Sequence, residues 1–143
     1  LAPLLVPKQG VALLETIQPS TDDPEVRGRL GALRELEAPG SGLADIEAAR
    51  LGYADLLARL PEAYAEHAAG FFLGPGRDAK QAFALAQKNL EARPNASAFG
   101  LARGAARASK QPREGAGQIA ARAATFRWPT PRLRELLREA GCE

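Results

Sequence analysis

Apolar residues recur along this chain at three- and four-residue steps, and proline, glycine and capping residues cut the pattern into short segments. That rhythm predicts helices. Residues 1–8 read as an irregular lead-in, and 9–18, with Val11, Ala12, Leu13, Leu14 and Ile17, as a short helix ending before Pro19. Ser20-Thr21-Asp22-Asp23-Pro24-Glu25 is a helix start. Asp23 can cap it, Pro24 suits the first turn, and Glu25 meets the positive end of the helix dipole. This helix is expected to run to about Glu37, where Ala38-Pro39-Gly40-Ser41-Gly42 breaks it. Ser41 can open the next, over 43–59, whose apolar stripe is Leu43, Ile46, Ala49, Tyr53, Leu56/Leu57 and Leu60. Pro61 permits a fresh start, and helix 62–73 is ended by Gly74-Pro75-Gly76. Asp78, with Gln81 three residues on, is placed to cap helix 79–92, whose inner face is Ala79, Ala82, Phe83, Ala86 and Leu90. Asn95 can cap helix 96–109. Pro112 falls at the first turn of a helix over 113–126, and Thr130-Pro131 opens a last one that Gly141 stops.

Short links make consecutive helices antiparallel neighbours, so the segments pair into hairpins. Length favours one domain. Much of the 45% hydrophobic content is alanine, which favours helix and lets helices approach closely. β-Branched residues are scarce and no stretch alternates, so the fold class is all-α.

A ladder of small residues and prolines runs through the pairs. Leu57-Ala58-Arg59-Leu60-Pro61 is echoed by Leu90-Glu91-Ala92-Arg93-Pro94, 33 residues on. Ala49 lies twelve residues before Pro61, and Ala82 twelve before Pro94. Gly70 lies twelve before Ala82, and Gly104 twelve before Ala116, with a Trp128-Pro129 corner after it. Gly31 fills the first rung if the loop near Pro39–Gly42 is longer than usual. A period of this length is the mark of a repeated supersecondary unit. The pattern resembles the tetratricopeptide repeat over about residues 24–140. The family's small residues correspond to Gly31, Gly70 and Gly104 in the first helices and to Ala49, Ala82 and Ala116 in the second. Tyr53, Ala86 and Ala120 fall four further on, and Pro61, Pro94 and Pro129 at the repeat ends. The family's early tryptophan and its tyrosine are missing, with Glu66 and Leu73 in those slots.

The resemblance implies antiparallel hairpins stacked as a short right-handed superhelix in a single domain, 1–143. A lead-in covers 1–23, a divergent repeat 24–61, the best repeat 62–94, a further repeat 95–129, and a capping helix and tail 130–143. It also implies that the first helix of each pair lines a groove, which places Tyr64, His67 and Phe71, then Ala98, Leu101 and Ala105, on that side. An aromatic–imidazole–aromatic stripe can anchor an apolar side chain of a peptide; periodic aromatics of this kind equally serve as core. Ala68, Ala102, His67 and Leu101 replace the Asn and Lys that some family members use to hold a peptide carboxylate, so that mode is not expected.

The formal net charge of +2 conceals an asymmetry. Residues 1–99 hold 10 Lys+Arg against 13 Asp+Glu, and 100–143 hold 9 against 4. Arg103, Arg107 and Arg134 are therefore candidate contacts to an acidic ligand. Arg122, Arg127, Arg132, Arg134 and Arg138, near Phe126 and Trp128, raise nucleic acid as a weaker alternative, since no recognition motif accompanies them. His67 is the only histidine and Cys142 the only cysteine, so neither a metal set nor a His-dependent triad is expected. No catalytic residue and no cofactor follow from the sequence. No apolar run reaches the length that spans a bilayer. The chain begins at Leu1 and contains no methionine, which reads as a piece of something longer. A cytoplasmic setting is the default expectation, and secretion stays open. The expected role is a protein–protein interaction or scaffold module. The alternatives are a structural helical domain of a larger enzyme or assembly, and a binder of acidic ligands.

Overall fold

The structure, a computed structural model, describes residues 7–110 continuously, and beyond them Gly117, Ile119, Ala121, Arg122, Thr125, Pro131, Arg134, Glu135 and Arg138. Among the described residues six α-helices follow one another: α1 (Pro7–Ile17), α2 (Pro24–Glu37), α3 (Leu43–Arg59), α4 (Pro61–Leu73), α5 (Ala79–Ala92) and α6 (Ala96–Ala108). A 3-10 turn over Gln18–Ser20 follows α1. Of these residues 82% are helical and none lies in a strand, so the fold is all-α. The described positions 117, 119, 121, 122, 131, 134, 135 and 138 are also helical. The rest of the expected helices 113–126 and 130–140, with Ala116, Ala120 and Pro129 of the ladder, lie outside the described residues.

Local chemistry sets the helix starts. The Asp23 carboxylate accepts from the Glu25 N–H at 2.8 Å, Asp78 from Gln81 at 2.9 Å, and the Asn95 amide oxygen from Ala98 at 2.9 Å. Each satisfies one of the N–H groups that the first turn leaves without a partner. Ser41 does not act in this way. Its hydroxyl donates back to the Arg34 carbonyl at 2.8 Å, and α3 begins after Gly42 with no side-chain cap. Glu35 takes over instead, its two oxygens accepting from Gly42 at 2.7 Å and Gly40 at 3.0 Å. Gly40 has φ +91°, which a side chain would strain.

The chain divides into two compact units. The first comprises residues 1–60 with the turn at 74–76. Its helices meet through glycine. A Cβ at Gly31 would lie 2.7 Å from Ile46 Cγ1 and 2.8 Å from the Gly42 carbonyl oxygen, and one at Gly52 would lie 2.9 Å from Pro24 Cβ. Those two contacts run in opposite directions, so α2 and α3 are antiparallel. A Cβ at Gly10 would lie 2.7 Å from Leu33 Cδ1, which brings α1 against α2. Ala49 and Tyr53 are buried in the middle of the α3 stripe, whereas Leu43 and Leu60 at its ends are exposed. Asp45, 6% exposed, pairs with Arg34 and, at 3.3 Å, with Arg27. Arg34 also bonds Glu15 at 2.7 Å, so one guanidinium ties α1, α2 and α3 together. The Glu15 bond pushes the Arg34 pKa up and outweighs the opposing effect of burial, with Asp45 adding to the rise. Arg50 donates to the Gly76 carbonyl at 2.6 Å, which holds the turn to this unit.

The second unit comprises 61–73 and 77–143, and its described helices meet through alanine. Ala65, Ala68, Ala69, Ala82, Ala86, Ala98, Ala102, Ala105 and Ala106 are all buried around Phe72, Phe83, Leu90 and Phe99. Arg93, at the end of α5, donates to the carbonyls of Glu62 and Ala63 at the start of α4, so these helices are antiparallel. α6 touches both of them. Ser97 donates to Glu66 at 2.9 Å, and a Cβ at Gly104 would lie 3.7 Å from Leu73 Cδ2. Both pairs are 31 residues apart, so α4 and α6 run parallel at a fixed register.

The glycine rungs of the ladder thus differ from one another. Gly31 sits where two backbones press together. Gly70 is exposed with nothing within 4 Å of its Cβ position, and Gly104 meets only Leu73 at ordinary contact distance. The close packing around α4 falls on Ala65, Ala68 and Ala69, one face round from Gly70.

Candidate functional site

The parallel pairing of α4 and α6 creates the surface that the sequence singles out. On α4, Tyr64 is half-buried, His67 is exposed and Phe71 is 6% exposed. The three share a helix face by spacing, but only Phe71 is buried. There the Phe71 ring meets Phe72 edge-on, with centroids 5.1 Å apart. On α6, Leu101 is half-buried, while Ala98 and Ala105 are fully buried. Tyr64, His67 and Leu101 therefore reach solvent, whereas Phe71 and Ala105 are buried.

Gly70 and Gly100 have open space at their Cβ positions, and Gly104 has one neighbour at 3.7 Å. The Glu66–Ser97 hydrogen bond joins the two helices. Sequence reasoning passed over that pair, because Glu66 occupies a slot that the repeat pattern reserves for an aromatic residue. Its signal was two polar residues 31 apart near the starts of two helices of the same type. The half-buried phenol and exposed imidazole on α4, and the half-buried isobutyl group on α6, are side chains of the kind that can bury an apolar or aromatic group brought by a partner.

The basic candidates are spread out. Arg103 is half-buried and has an interaction of its own, Arg107 is exposed one turn further along α6, and Arg134 is exposed and also has a partner. Among the described residues no three His, Cys, Asp or Glu side chains gather where they could hold a metal ion. No helix among them is long and apolar enough to cross a membrane. The chain was compared with family models, curated proteins and solved structures, and none matches.

Proposed function

We propose that this chain is a helical-repeat docking module, similar in plan to tetratricopeptide repeats, and that the α4–α6 face binds a segment of a partner protein. The observation that carries this reading is the fixed parallel register of α4 and α6, held by Glu66–Ser97 and Leu73–Gly104. Parallel first helices with an antiparallel second helix are what stacking of hairpin units generates. The 31-residue contact offset is three residues, about one helical turn, short of the 34 that separate Gly70 from Gly104 in the ladder. Stacked pairs displaced by one turn reconcile the two spacings. The supporting chemistry is the exposed His67 and half-buried Tyr64 on α4 with half-buried Leu101 on α6.

Selection of displayed peptides on the intact chain tests this reading. The selected peptides are expected to lose at least about tenfold in affinity to His67→Glu and to Leu101→Asp, since each places a charge in an apolar contact. They are expected to bind with little dependence on salt, unlike a ligand held by arginines. Peptides that bind both variants as tightly as the original chain would place the docking surface elsewhere.

A further inference from the structure

A second concavity lies away from the α4–α6 face. A cleft of about 490 Å³ is lined by Gln87, Leu90 and Glu91 of α5 and by Ala121, Arg122 and Thr125 further along the chain. Leu90, 4% exposed, and Ala121 supply apolar surface. Arg122 donates from Nη2 to the Glu91 carbonyl at 3.0 Å, which caps a carbonyl in the last turn of α5. Its Nε is buried without an acceptor. A guanidinium has five N–H donors in a fixed fork, so this side chain is under-used by the protein. The Thr125 hydroxyl donates to the Arg122 carbonyl at 2.7 Å and keeps oxygen lone pairs free to accept. The carboxylate of Glu91, the residue whose carbonyl Arg122 binds, is exposed and makes no hydrogen bond or ion pair among the described residues.

Among its described lining residues, the cleft therefore carries one cation and one anion that do not pair with each other, beside apolar surface. A simple anion would meet repulsion from Glu91, and a simple cation would meet it from Arg122. A neutral apolar molecule would cover both charges without pairing either, which is costly. We propose that this cleft binds a small zwitterion, a free amino acid with an apolar side chain. Its carboxylate meets the Arg122 guanidinium, its ammonium meets Glu91, and its side chain lies on Leu90 and Ala121. Charge-assisted hydrogen bonds at both ends give the site its selectivity.

Calorimetric titration of the intact chain at neutral pH and low salt tests this, with L-leucine, N-acetyl-L-leucine and L-leucinamide as probes. Leucine is expected to bind at least about tenfold more tightly than either blocked form, because each lacks one charge-assisted bond. Glu91→Gln, an exposed position whose backbone bond to Arg122 is kept, is expected to abolish the preference over N-acetyl-leucine. Arg122→Lys is expected to weaken leucine while leaving leucinamide unchanged. Ala121→Phe is expected to block all three by filling the cleft, and it keeps the test independent of any effect of Arg122 on folding. The absence of saturable leucine binding at millimolar concentration overturns the proposal. So does N-acetyl-leucine binding as tightly as leucine, or a preference that survives Glu91→Gln.

Discussion

Gly31 and Gly70 are the same residue type at the same rung of one sequence ladder, yet the structure gives them opposite roles. A methyl at Gly31 would run into Ile46 and the Gly42 backbone, so Gly31→Ala is expected to destabilise by about 1–3 kcal/mol through overpacking. A methyl at Gly70 or Gly100 would meet open space, so Gly70→Ala and Gly100→Ala are expected to stabilise by about 1 kcal/mol each through helix propensity. Chemical denaturation of the three variants checks the opposite signs. The sequence showed that small residues recur, but not which side of a helix each one occupies, because side depends on a partner helix that may lie far along the chain. Asn89 makes the same point. It is fully buried on α5 with both amide atoms lacking a partner, in a stripe that the pattern reads as alanine, phenylalanine and leucine. Tyr53 supplies a pH prediction. Burial, with Glu25 and Asp23 nearby, raises its pKa well above the usual value of about 10. The folded state thus keeps a proton that the unfolded state releases above pH ~10, so Tyr53's contribution is intact below that pH and is lost as pH rises beyond it. Denaturation midpoints from pH 9 to 11 are expected to fall more steeply for the original chain than for Tyr53→Phe.

At the scale of elements, the most legible features were those decided within a few residues. The caps Asp23, Asp78 and Asn95 follow from side chains reaching their own turn, and the breaks after Glu37 and Leu73 from local proline and glycine. Asn95→Ala is expected to cost about 1 kcal/mol, and thermal unfolding measures it. The start of α3 at Leu43 was legible, but its cap was not. Ser41 turns back to Arg34, and Glu35 from the preceding helix holds the N–H groups of Gly40 and Gly42, across a turn whose shape no local pattern fixes. The ion-pair cluster at Asp45 is likewise invisible in sequence, since Glu15, Arg27 and Arg34 come from two other helices. Asp45→Ala is expected to destabilise the first unit by about 1–2 kcal/mol, since Arg27 and Arg34 lose a charged hydrogen-bond partner but are partly solvated and Arg34 keeps Glu15. Arg34→Ala in the Asp45→Ala background is expected to cost much less than Arg34→Ala alone, and a double-mutant cycle reads that coupling.

At the scale of the molecule, the two units use different packing chemistry, glycine at close approaches in the first and alanine throughout the second. The hydrophobic rhythm made the all-α class plain, and it put Tyr64, His67 and Phe71 on one helix, α4. What it lacked was depth, since Phe71 is buried and His67 exposed. The docking reading rests above all on the parallel contact of α4 with α6. It is tested most directly by cysteine pairs joined with a short thiol cross-linker in a Cys142→Ser background. Seven residues of helix span about 10.5 Å, which separates matched from crossed pairs. The account predicts that Glu66→Cys with Ser97→Cys, and Leu73→Cys with Gly104→Cys, link efficiently, and that the crossed pair Glu66→Cys with Gly104→Cys does not. Linkage of the crossed pair in preference to the matched ones would contradict the parallel register and the docking face built on it.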